Sequence, residues 1–130
     1  MTALTLQEAI DRTAAGVAKA AEMGVAMNVA VVDDAGHLLH FSRMEDAWLG
    51  SIDIAIRKAR TAVYFKMPTA EIGKLSQPGG ELFNIEVTNG GLVTFGGGLP
   101  LVRDGRVVGA VGVSGGRVAE DTAVAEACLA

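Results

Sequence analysis

Core-type residues recur at helical spacing through Leu6, Ala9, Ile10, Thr13, Val17 and Ala21 until Gly24 ends the pattern. Thr5 followed three residues later by Glu8 is a capping-box signature, so the pattern predicts a first helix from about Leu6 to Met23. Asn28 to Val32 is a short β-branched run that stops at Asp33-Asp34-Ala35-Gly36, and His37 to Arg43 is strand-like again, which predicts a hairpin. From Leu49 to Lys66 the apolar positions Ile52, Ala55, Ile56, Ala59 and Val63 share one helical face, and Pro68 closes the segment. Thr69 is expected to cap a short third helix reaching Leu75, with Gln77-Pro78-Gly79-Gly80 as a loop. Leu82 to Phe95 reads as irregular chain leading into a strand. Leu99–Arg103 and Arg106–Val113 flank Asp104-Gly105, a two-residue hairpin turn, Ser114-Gly115-Gly116 ends the last strand, and Arg117 to Leu129 forms a terminal helix. Hairpin connections imply antiparallel neighbours, so the class is α+β: one antiparallel sheet of about five strands, flanked by helices.

Composition narrows the function classes. The 130 residues correspond to one domain. Eleven Lys and Arg against fifteen Asp and Glu leave a net charge of -4 with no basic stretch, which argues against a nucleic-acid partner. The longest apolar run, Val107 to Val113, is far below the roughly 20 residues of a membrane span, and the N-terminus has no signal-peptide pattern, so a cytoplasmic protein is expected. Cys128 is the only cysteine, which excludes an internal disulfide and a Cys-rich zinc site. Half the residues are hydrophobic, more aliphatic surface than so short a chain readily buries, and homo-oligomerisation is expected.

Candidate chemistry is sparse. His37 and His40 stand at an odd separation on one predicted strand and face opposite ways, so they do not chelate one metal ion; either remains a candidate single axial ligand for heme. The glycines at 96–98 and 115–116 lack the Lys-Ser/Thr of a P-loop and the βαβ setting of a dinucleotide site. Arg43 shares a strand face with Phe41 and Leu39, where an arginine either snorkels to water or fixes an anion. Lys58 belongs to a mixed helical stripe with Ile54, Thr61 and Phe65, suited to a cleft or a subunit interface. No nucleophile elbow is present, and Asp33, Asp34, Asp46, Asp53, Glu81 and Glu86 show no acid–base spacing.

Three strings carry a resemblance: Asn28 to Leu39, Ser51-Ile52-Asp53-Ile54-Ala55 running into Lys58-Ala59-Arg60-Thr61-Ala62, and Phe95-Gly96-Gly97-Gly98-Leu99-Pro100-Leu101 continuing to Val111 to Gly116. In this order and at this length the chain resembles the GlcG/HbpS-like family, which also supplies the C-terminal domain of PduO-type proteins. The resemblance implies a profilin-like, five-stranded antiparallel sheet with helices on its faces, assembly into even-numbered homo-oligomers, and, in some members, heme binding or breakdown. The family's recurrent polar positions correspond to Arg43, Asp46, Lys58 and Thr61, with Gly96–Gly98 and Glu120. Two readings follow. In one, the chain binds a small ligand such as heme or a related tetrapyrrole, with Phe41, Thr61, Phe65, Phe95, Gly97 and Gly98 lining the site and His37 or His40 as axial candidates. In the other it is a cofactor-free catabolic enzyme of isomerase, lyase or hydrolase type, holding an anionic metabolite with Arg43 and Lys58 and moving a proton through Asp46 or Glu86.

Overall fold

The computed structural model describes residues 3–130. Helix α1 spans Leu6–Met23 and begins with the expected box: the Thr5 hydroxyl accepts from the Glu8 amide at 3.1 Å, and the Glu8 carboxylate accepts from the Thr5 amide at 3.2 Å. Gly24 ends it in the left-handed region at φ 72°, where a side chain would be strained. Glu8 also pairs with Arg103, tying the start of α1 to a strand. The Thr5 amide, with help from Arg103, holds the Glu8 carboxyl below its ordinary value of 4.5. A depressed carboxyl contributes stability above that ordinary value and loses it as the pH falls through the lowered one. The difference in urea midpoint between the parent chain and Glu8→Gln is therefore expected to shrink as the pH is taken below about 4.5.

The strands are β1 (Asn28–Asp33), β2 (Leu38–Arg43), β3 (Gly98–Arg103) and β4 (Arg106–Ser114), joined antiparallel in the order β2-β1-β4-β3. Among the described residues the sheet thus has four strands, not five. The stretch Leu82 to Phe95 is irregular, as expected, with turns and one 3₁₀ turn at Ile85–Val87, and it leads into β3 without supplying a fifth strand. Asn84, Asn89, Gly90 and Gly91 all adopt positive φ there, which no extended run accommodates. Its backbone groups are instead satisfied locally, as in Val87 to Asn84 and Gly91 to Thr88, and by side chains of the second helix.

The β1–β2 pairing slips between Val31 and Val32: Val31 faces His40 and Val32 faces Leu38, which leaves Leu39 as an extra residue. The expected alternation Leu39-Phe41-Arg43 is therefore broken. Leu39 packs against the core beneath α1, while Phe41 stands opposite Ala30 and Arg43 opposite Asn28.

Helix α2 (Gly50–Phe65) covers one sheet face, and α1 with α4 (Val118–Leu129) covers the other. On the α2 side a row of small residues, Gly98–Gly112–Ala30, lets the helix lie directly on the strands. On the opposite side Val29, Val31, Val111 and Val113 pack with Ala9, Ala20, Val124 and Cys128. Helix α3 (Thr69–Leu75) starts as expected but is not capped by Thr69, since Pro68 holds the N-cap position. The Thr69 hydroxyl instead accepts from the Gly98 amide at 3.0 Å and pins the start of β3.

Candidate functional site

Where β3 begins, the ladder with β4 runs one bond beyond the strand: the Val113 amide donates to the Gly97 carbonyl at 2.9 Å. The Val113 carbonyl receives a side-chain donor there, Lys58 Nζ of α2, at 2.8 Å. The same ammonium donates to Asp121 Oδ2 of α4 at 2.9 Å and lies 4.8 Å from the centroid of the Phe95 ring. Asp121 Oδ1 in turn accepts from the Gly116 amide at 2.9 Å. Lys58 is 0% exposed and Asp121 is buried with it, so the pair clasps the two helix layers around the end of the sheet. Burial pushes the Lys58 amine down and the Asp121 carboxyl up from their ordinary values, and the mutual bond opposes both shifts. Gly97 holds φ at 122°, and a Cβ there would lie 2.7 Å from the Val113 carbonyl oxygen, a backbone atom that cannot turn aside, so glycine is required on both counts.

Thr61 of the mixed stripe, with Arg57 one turn earlier on α2, faces the irregular strap between α3 and β3. Arg57 donates to the carbonyls of Gly90 and Gly91 at 2.6 and 2.8 Å, and the Thr61 hydroxyl accepts from the Val93 amide at 3.2 Å. Glu86 accepts from the Thr94 hydroxyl at 3.2 Å within the strap itself. Pinned in this way, the strap presents Phe95, 46% exposed, to a pocket of about 290 Å³ whose walls include Ala70, Gly73, Lys74, Thr94 and Gly96.

Of the residues singled out from sequence, Lys58, Phe95 and Gly97 meet at this point, and Thr61, Glu86 and Gly98 brace the segments around it. The others do not join them. Arg43 is exposed at the outer strand β2, opposite Asn28, which is in turn opposite Ser114; that row places it about two strand spacings, roughly 10 Å, from β4. Asp46 is exposed at φ 68° in the turn that follows. Phe41 and Phe65 are half-buried, the latter closing α2. His37 precedes β2, its side chain 81% exposed and 3.8 Å from Asp33, while half-buried His40 shares a 2.8 Å hydrogen bond with the Thr13 hydroxyl of α1. Sequence reasoning missed Asp121. An acid in the first turn of a helix reads as a dipole partner, and only the need of a buried amine for a counter-charge pointed elsewhere.

Among the described residues, no group of histidine, cysteine and acidic side chains is placed to hold a metal ion, and no helix is long and apolar enough to cross a membrane. Cys128 is a core residue, as its apolar setting predicts, and burial pushes its thiol up to about 12. Native protein at pH 8 is expected to resist a thiol reagent such as DTNB over hours, and to react at once when unfolded; fast reaction of the native state would contradict the packing.

A family profile for haem degrading protein HbpS-like matches residues 4–130. The chain belongs to the HbpS-like family. An uncharacterized 15.0 kDa protein from the dhaT-dhaS intergenic region of Citrobacter freundii is 44% identical over 127 residues, 97% of this chain and 89% of that one. The corrinoid adenosyltransferase PduO of Citrobacter freundii is 41% identical over 98% of the chain, which spans 38% of the length of PduO. Among solved structures, Klebsiella pneumoniae ORFY superposes with a TM-score of 0.96 at 40% identity, covering 99% of this chain and 90% of ORFY. A PduOC:heme complex superposes with a TM-score of 0.94 at 39% identity, covering 98% and 94%. This HbpS-like chain therefore superposes on a heme-bound relative over nearly its whole length.

Proposed function

We propose that the chain is a small-ligand-binding protein whose ligand is heme or a related tetrapyrrole, held against Phe95. The observation that carries this reading is the likeness to the PduOC:heme complex over almost the full chain. The pocket supports it in kind: an aromatic face, a wall of small residues at Ala70, Gly73 and Gly96, and a cation, Lys74, at its edge. At about 290 Å³ it lies just below the ~300–1,000 Å³ typical of pockets that enclose a ligand, so it would take one edge of a macrocycle and leave the rest outside. No imidazole lines it. Bound heme would supply the redox chemistry of its iron; the chain's own part is to seat the ring on Phe95 and pair a propionate with Lys74.

Hemin titration tests this. A Soret shift that saturates, and that weakens in Phe95→Ala and Lys74→Glu, is the expected result. No shift, or one indifferent to both substitutions, would remove the reading. His37→Ala and His40→Ala in the same titration report whether either imidazole reaches the iron. The enzymatic alternative finds less support, because Lys58 is sealed with two of its donors committed to Val113 and Asp121, and Arg43 lies out on β2.

We also propose that the chain assembles with copies of itself. Trp48 and Leu49 are 67% and 69% exposed on a loop that Asn28 Nδ2 anchors through the Trp48 carbonyl at 3.0 Å, a preformed apolar contact. Sedimentation as a monomer at micromolar concentration would overturn this.

A further inference from the structure

Phe95 touches two environments. Lys58 is completely buried and its ammonium lies 4.8 Å from the ring centroid, so the cation stands on the protein side of the ring. The half-exposed remainder of Phe95 belongs to the pocket with Ala70, Gly73, Lys74, Thr94 and Gly96. The chain that follows the ring, Gly96-Gly97-Gly98, has no side chain of its own with which to brace it. The ammonium is itself fixed by Val113 and by Asp121, which is fixed by Gly116. A buried chain of contacts therefore runs from α4 through α2 to the ring.

A cation on one face of an aromatic ring is attracted by the negative charge of that face and draws π density toward itself. The opposite face is left poorer in electron density and stacks better on an electron-rich, flat partner than on a cation. Lys74 at the pocket edge, 3.1 Å from Glu71, adds a positive group on the same side.

We infer that Lys58 and Asp121 are positioning residues for Phe95, and that the ring they hold makes the pocket selective for flat, anionic, conjugated ligands over cationic ones of the same shape. This rests on the ligand reading of that pocket. It adds to it a pair of residues that never touch the ligand and a rule for what the pocket rejects. It also gives the clasp a role beyond stability, because a clasp that served packing alone would leave ligand charge preference unchanged when replaced by an apolar pair.

The test compares protoporphyrin IX, a metal-free dianion, with a tetracationic N-methylpyridinium porphyrin, by fluorescence titration on the full chain. The parent chain is expected to favour the dianion, and the double variant Lys58→Met/Asp121→Leu, chosen because an apolar pair can replace a buried ion pair without unfolding the chain, is expected to lose about ten-fold of that preference. Phe95→Leu is expected to lose a similar share, and combining it with the double variant to add little further. In Lys74→Met the part that depends on Lys58 is expected to persist. An unchanged preference in Lys58→Met/Asp121→Leu would overturn the inference. If the parent chain binds neither porphyrin, the tetrapyrrole reading and the selectivity fall together. The positioning claim is then decided separately by NMR, where the Phe95 ring resonances are expected to move and average in the double variant, and unmoved resonances would sink it.

Discussion

Asp121→Ala is expected to destabilise the fold by about 3–5 kcal/mol, the cost of leaving one partner of a buried ion pair without its counter-charge. Lys58 is 0% exposed and keeps its amine against the Val113 carbonyl, so no water replaces the lost carboxylate cheaply. Gly116 loses the acceptor for its amide in the same step. The sign of the pH dependence follows. In the variant the Lys58 amine falls further below its ordinary value of 10.5, so the native state binds fewer protons than the unfolded state, and stability rises with pH up to about 10.5. Urea midpoints measured at pH 6 and pH 9 should therefore show the larger deficit at pH 6. Lys58→Met/Asp121→Leu removes both charges and is expected to come out near the parent stability. A cost below about 1 kcal/mol for Asp121→Ala, or a double variant worse than the single, would mean that the clasp is not closed as described.

The second large effect concerns Gly112. Its position in the row facing α2 puts a hypothetical Cβ in overlap with the Ala55 carbonyl oxygen and 2.5 Å from the Ala59 nitrogen. Those are backbone atoms of a helix that also packs through Ala59, Ala62 and Val63, so neither side yields by turning a side chain. Gly112→Ala therefore has to lift α2 from the sheet, at about 3 kcal/mol or more, toward the upper end of overpacking costs. It also draws Lys58 away from Val113, which couples this substitution to the clasp. Gly50→Ala is the matched control: at the first turn of the same helix a Cβ meets nothing, and the change is expected to be neutral or slightly stabilising. Thermal melts of the two variants give the comparison, and equal midpoints would show that α2 does not rest on Gly112.

The two variants separate what was legible in the chain from what was not. The Thr5–Glu8 box, the Asp104-Gly105 turn and Pro68 are local signals, and each produced an element within a residue or so of its predicted limits. The strap from Asn84 to Val93 was legible as irregular chain but its course was not, because that course answers to Arg57 and Thr61 on another element. Leu39 was assigned to the wrong face for a related reason: a bulge is a property of two strands, and alternation along one strand cannot reveal it. At the site, the sequence marked Lys58, Phe95 and Gly97 singly, as a cation on a mixed stripe, a scarce aromatic and a glycine in a run. Arg43 carried an equal signal and lies apart, since the sheet order puts β2 at the edge away from β3.

By itself the sequence determined the helices, the two hairpins and the antiparallel class, because caps, turns and periodicity act over a few residues and need no partner. Only the tertiary structure decided the number of strands, the company of Lys58 and the outward face of Phe95. A buried charge must be met by whatever the fold brings within about 3 Å, and Asp121 lies 63 positions further along the chain.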